Sequence, residues 1–95
     1  MGGGEDLIMT FKEILKSEGF VHVYDWHDEP GIEYEKHSHK GKVSIFVKSG
    51  NVTFQFSDGV VKTISAGERS DVPVGLEHSA VVGPEGCDYI VGEMI

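Results

Sequence analysis

Two hydrophobic periods divide the chain. Thr10-Phe11-Lys12-Glu13 has the form of a capping box, with Met9 and Ile14 placed for a hydrophobic staple. Phe11, Ile14 and Leu15 then share one side of a helix expected from about Phe11 to Glu18, and Gly19 supplies its left-handed stop. From Phe20 onward the period is extended. Expected strands are Phe20–Trp26, Ile32–Ser38, Val43–Lys48, Val52–Ser57, Val60–Ile64, Ser70–Val72, His78–Val82 and Cys87–Glu93. The fourth is the clearest, since Val52, Phe54 and Phe56 alternate with Thr53, Gln55 and Ser57. Turn signals fall between them at Asp28-Glu29-Pro30-Gly31, Ser49-Gly50-Asn51, Asp58-Gly59, Ala66-Gly67 and Gly83-Pro84-Glu85-Gly86. Eight short strands at this spacing predict an all-β sandwich or small barrel with a helical N-terminal flap.

Composition narrows the class. The chain has 95 residues, the size of one domain with one core, and its 13 glycines suit an architecture of many tight turns. Residues 1–6 contain three consecutive glycines and are expected to be loose, residues 10–19 to form the helix, and residues 20–95 the barrel. No apolar run approaches the roughly 20 residues of a membrane helix, and no secretory signal pattern opens the chain, so a cytoplasmic location is expected. Cys87 is the single cysteine, which agrees with a reducing compartment; in its strand context a small buried residue is expected rather than a reactive thiol. A net charge of −8 argues against nucleic acid or an anionic membrane as partner, since both need a positive patch.

The chemistry concentrates in Gly31–His39 and Pro73–His78. A His-x-His pair on an extended segment, His37 and His39, places both imidazoles on one face. Two adjacent inward imidazoles are poor packing elements and good ligands of one metal ion, and His78, after a Pro-x-Gly turn, is the third candidate.

These segments resemble the two signature motifs of the cupin superfamily, the RmlC-like jelly-roll barrels. The first motif, G-x5-H-x-H-x3-E-x6-G, is met by Gly31, His37, His39 and Gly50, with Val43 at the glutamate position. The second, G-x5-P-x-G-x2-H-x3-N, is met by Gly67, Pro73, Gly75 and His78, with Val82 at the asparagine position. The resemblance implies a single cupin domain over residues 1–95, a double-stranded β-helix (jelly-roll barrel) with a short N-terminal helix. It further implies that His37, His39 and His78 hold one divalent metal ion inside the barrel. Zinc, iron, manganese, nickel and copper all suit such a site.

The departure at Val43 removes the family's anionic ligand. Three neutral imidazoles then leave the ion's charge uncompensated and its bound water more acidic. Glu33 and Glu35, at even steps from His37, are candidates for restoring that charge as a second shell or fourth ligand. Val43, Tyr34, Trp26 and Phe46 are candidates for lining a pocket. His22 and His27 lie outside both motifs and are expected to face solvent.

Three functions compete on these residues. One is a metal-dependent enzyme of dioxygenase or isomerase type acting on a small organic molecule. Another is a non-enzymatic binding module with a structural metal. The last is a metal-free barrel recognising a sugar or similar ligand, with the histidines as acid–base groups. No nucleophile triad, phosphate loop or cofactor fingerprint appears. A small-molecule ligand and a homodimer formed through open sheet edges are the expected partners.

Overall fold

A computed structural model describes residues 9–94; the expectation for residues 1–6 lies outside them. Helix α1 spans Phe11–Ser17 and starts as the sequence requires. The Thr10 side chain accepts from the Glu13 amide at 3.1 Å, and the Glu13 carboxylate accepts from the Thr10 amide at 2.9 Å. Glu18 caps the other end, and Gly19 follows with φ 96°.

Six strands follow: β1 His22–Asp28, β2 Glu33–His37, β3 Lys42–Phe56, β4 Val61–Ser65, β5 Arg69–Val72 and β6 His78–Met94. The expected eight become six because β3 and β6 each fuse two predicted strands. Ser49-Gly50-Asn51 and Gly83-Pro84-Glu85-Gly86 do not end their strands. They are irregularities inside them, where the β3–β6 register shifts between Val47 and Ser49 and again between Gly50 and Val52. The turn residues are used, but to bend the strands.

That bending builds two sheets from one continuous ladder. β2 pairs with the start of β6, β6 with the end of β3, and β3 with β4. β1 pairs with the end of β6, β6 with the start of β3, and β3 with β5. Every pairing is antiparallel. The inner faces of both halves meet in one cluster that includes Val43, Val47, Val52, Phe54, Val72, Val82 and Val91.

Helix α1 covers the outside of the second sheet. Leu15 and Phe20 pack there on Phe46 and Ile90, and the rings of Phe11 and Phe46 stack at 4.3 Å. Phe46 is therefore not a pocket residue: strand alternation sends Val47 inward and Phe46 outward, under the helix. Gly92 permits this approach, since a Cβ there would meet Leu15 and Phe20 at 3.1 Å. Among the described residues no helix is long and apolar enough to cross a membrane.

Gly50 sits where β3 and β6 come closest. Its φ is 76°, and a Cβ on it would lie 1.9 Å from the Gly86 carbonyl oxygen. Gly50→Ala combines left-handed strain with a backbone clash and is expected to cost more than about 2 kcal/mol. Urea unfolding monitored by circular dichroism measures this as a lower midpoint.

Candidate metal centre and its cavity

An irregularity in β2 sets the site. Tyr34 pairs with Ala80 and His37 with His78, so three steps along β2 match two along β6. The extra residue is a bulge, and it places Tyr34 and His37 on the same inward side although they are an odd number of residues apart. His78 opens β6 and is 2% exposed; it pairs with His37 on one flank and with Phe56 on the other. His39 follows β2 in a loop, and its carbonyl accepts from the Gly75 amide at 3.0 Å, which ties the Pro73–Glu77 turn to the histidine segment.

The three imidazoles converge. Ring centroids are 4.4 Å apart for His37 and His78, 5.0 Å for His37 and His39, and 5.2 Å for His39 and His78. One ring nitrogen from each lies within 4.8 Å of the others. The tautomers of two rings follow from their neighbours. His37 Nδ1 donates to the Glu35 carbonyl at 2.7 Å, and His78 Nδ1 donates to the Leu76 carbonyl at 3.2 Å. A carbonyl only accepts, so each Nδ1 carries the proton and each Nε2 keeps its lone pair. That is how the outer partners of a metal-binding histidine orient it. The donor set and its geometry fit a divalent ion.

Electrostatics favour the neutral ring at two of the three, His39 and His78. Burial lowers the pKa of His39, with the neighbouring His37 and His78 adding to the effect and Glu93 opposing it. Burial likewise lowers that of His78, against the raising effect of the Leu76 carbonyl.

The two expected carboxylates are elsewhere. Glu33 and Glu35 are exposed; neither lines the cavity or joins the histidine cluster. Their even spacing from His37 predicts the same face only for a regular strand, and the bulge cancels that parity. Glu35 serves His37 with its backbone oxygen instead. Val43 is buried in the core, as an inward residue should be, yet it does not line the cavity; Ile45, two residues on, does. Across the ladder from Val43 stands Glu93, whose carboxylate accepts from the Tyr24 hydroxyl at 2.9 Å. Burial, with Glu93 adding, pushes the Tyr24 phenol up to about 12.

A cavity of about 110 Å³ opens beside the imidazoles. Its walls are mainly apolar, with Ile45, Val52, Phe54, Val72 and Val91 among them, and Trp26 and Tyr34 contribute aromatic surface that is also open to solvent. The sequence alone leaves out two of its polar residues. Asp28 reads as the first residue of a turn but is a buried strand end, and Tyr89 lies in an unremarkable apolar run. Neither carries a local signal, because each reaches the cavity only through the β1–β6 pairing of Asp28 with Cys87 and Trp26 with Tyr89.

No family model and no curated protein matches the chain. Solved structures do. A protein of Neisseria meningitidis is 25% identical at TM-score 0.66, over 77% of this chain and 72% of its own. An RmlC-like cupin from Shewanella frigidimarina is 28% identical at TM-score 0.65, over 75% and 62%. A protein of Klebsiella pneumoniae with a double-stranded β-helix domain is 30% identical at TM-score 0.64, over 75% and 64%. The chain thus spans less than two thirds of the latter two. The chain has the fold of the RmlC-like cupins, a double-stranded β-helix, and carries a three-histidine cluster.

Lowered histidine pKa values in the folded state make stability fall with acid. The unfolded chain binds protons near its ordinary value of about 6.5, before the buried rings do, so the contribution of His39 and His78 is lost as pH drops below that value. His27 acts in the opposite sense. Glu29 and Asp88 hold its two ring nitrogens at 2.6 and 2.7 Å and raise its pKa, so its contribution is present below about 6.5 and is lost as pH rises through the folded value. Metal-free protein is expected to show a lower urea midpoint at pH 5.5 than at pH 7.5, and His27→Gln a steeper decline between them.

Proposed function

We propose that this chain binds one divalent metal ion through His37, His39 and His78, and that the ion and the adjoining cavity together take up a small organic molecule. The convergence of three imidazoles, two with a proton fixed on the far nitrogen, is the observation that supports this reading most directly. Packing alone gives no reason to gather three imidazoles around one point, and a carbonyl behind a ring is the usual second partner of a metal-bound histidine. When bound, such an ion supplies a Lewis acid with positions open to water or a ligand. The chain's own residues orient the ligands, exclude water with the apolar walls, and admit a molecule past Trp26 and Tyr34. Dioxygenase-type or isomerase-type chemistry is the enzymatic form of this reading, and ligand binding without turnover is its alternative. A small-molecule ligand and a pairing of two copies through sheet edges complete the proposal; Val61 on strand β4 and the preceding Val60 present exposed apolar surface for the latter.

Protein purified without an affinity tag is expected to carry close to one metal per chain by elemental analysis. Less than about half would favour the metal-free barrel. His37→Ala, His39→Ala and His78→Ala should each weaken metal binding by more than about 100-fold in a chelator competition, whereas Glu35→Gln should leave it unchanged, since Glu35 contributes only its backbone. Retention of metal by all three alanine variants would remove the proposal. Oxygen uptake by iron-loaded protein with a panel of thiols, diketones and phenols separates dioxygenase chemistry from binding alone.

A further inference from the structure

Along one wall the cavity runs from the imidazoles, past Tyr34, to a carboxylate that has no cation. The Tyr34 ring lies 6.5 Å from that of His37, and its hydroxyl donates to Asp28 Oδ1 at 2.6 Å. Trp26 Nε1 donates to the same oxygen at 3.1 Å. Asp28 is only 6% exposed, yet among the described residues no lysine, arginine or histidine pairs with it. A buried anion without a counter-charge is costly, and neutral donors offset only part of that cost. Both of these donors go to Oδ1, and the Tyr89 hydroxyl interacts with the same carboxylate. Asp28 thus meets the cavity beside Trp26, Tyr34 and Tyr89 with neutral donors as its only partners among the described residues.

A carboxylate without a counter-ion, set among aromatic side chains at a cavity wall, is an arrangement that takes an organic cation. The carboxylate supplies the charge, and the aromatic walls make the site partly desolvated, where an ion pair with an ammonium is stronger than in water. We propose that Asp28, with Trp26, Tyr34 and Tyr89 around it, binds the cationic end of the ligand. That ligand is a small amphoteric molecule with an ammonium or quaternary ammonium group at one end. At its other end is an oxygen donor, such as a carboxylate, that reaches toward the three imidazoles. Size agrees with this. A sealed cavity of about 150 Å³ accommodates a benzene-sized molecule. The present cavity of about 110 Å³ is open at its mouth, which limits the ligand to about six to eight heavy atoms. The metal-facing half of this assignment rests on the function proposed above; the Asp28 half stands apart from it.

Trp26 is the only tryptophan in the chain, so intrinsic fluorescence reports directly on this site. The test titrates the full chain, metal-free, with tetramethylammonium and with its uncharged counterpart tert-butyl alcohol. The zinc-loaded chain is titrated with glycine betaine and with its neutral-headed carbon isostere 3,3-dimethylbutanoate. At least a tenfold preference for the cation in each pair is expected, and Asp28→Asn should abolish it. Equal affinity within the pairs, no saturable response to either cation, or an unchanged preference in Asp28→Asn would each overturn the proposal. Should Asp28→Asn fail to fold, the cation-to-neutral ratio of the parent chain decides alone. Tetramethylammonium has no atom that can ligate a metal, so the two readings fail separately. Cation preference without metal uptake would remove the metal centre and keep this site, and metal uptake without cation preference would do the reverse.

Discussion

The pairing of β3 with β6 is the constraint on which the rest of the molecule depends. Each strand is long enough to serve two sheets, and each bends where the pair changes register, at Gly50 opposite Cys87 and on to Val52 opposite Val82. The ladder continues through the bend, so few backbone groups lose their partners, and both sheets inherit a fixed relation to each other. Glycine is required at the tightest point because the two backbones approach closer than any Cβ permits. Placing the sheets in this way closes the apolar cluster between them and leaves the cavity at the end where His78 starts β6.

Local pattern carried much of this. The capping box at Thr10, the alternation through Val52–Phe56 and the histidine spacing each reappear as an observed element or cluster. What the pattern did not carry was anything decided between strands. Ser49-Gly50-Asn51 has the residues of a chain reversal, and only the partner strand shows that it is a bend instead. Phe46 is as apolar as its neighbours, and the helix lying over it decides that it is outside the barrel. Glu33 and Glu35 have the right parity for a regular strand, but β2 is irregular, and the inserted residue reverses the faces. Asp28 was the least legible of all, since nothing in Asp-Glu-Pro-Gly says that the aspartate is buried.

The same bulge explains how the site comes to hold both its aromatic and its imidazole parts. A regular β2 would send either Tyr34 or His37 inward, not both. With one extra residue, Tyr34 and His37 become inward neighbours, and the Glu35 carbonyl is turned to meet His37 Nδ1. The loop carrying His39 is then fixed by the Gly75 amide, so two segments far apart in sequence are locked before any ligand arrives. Bulges of this kind recur beside functional sites because they re-aim a side chain without ending a strand.

Charge gives the cavity its polarity. At one end are the imidazoles, and burial favours the uncharged form of two of them, His39 and His78. Along the wall is Asp28, an anion that two donors orient but no cation neutralises. Each of these groups costs stability in the empty protein, and a core built for stability alone would replace them with apolar side chains of similar volume. On the two proposals above, the arrival of positive charge would relieve both costs, an ion at the imidazoles and an ammonium group at Asp28. Among the residues that line the cavity, Asp28 is the one acid. A ligand that is positive at Asp28 and supplies an anionic oxygen toward the ion would satisfy both ends, which neither a simple cation nor a simple anion can do.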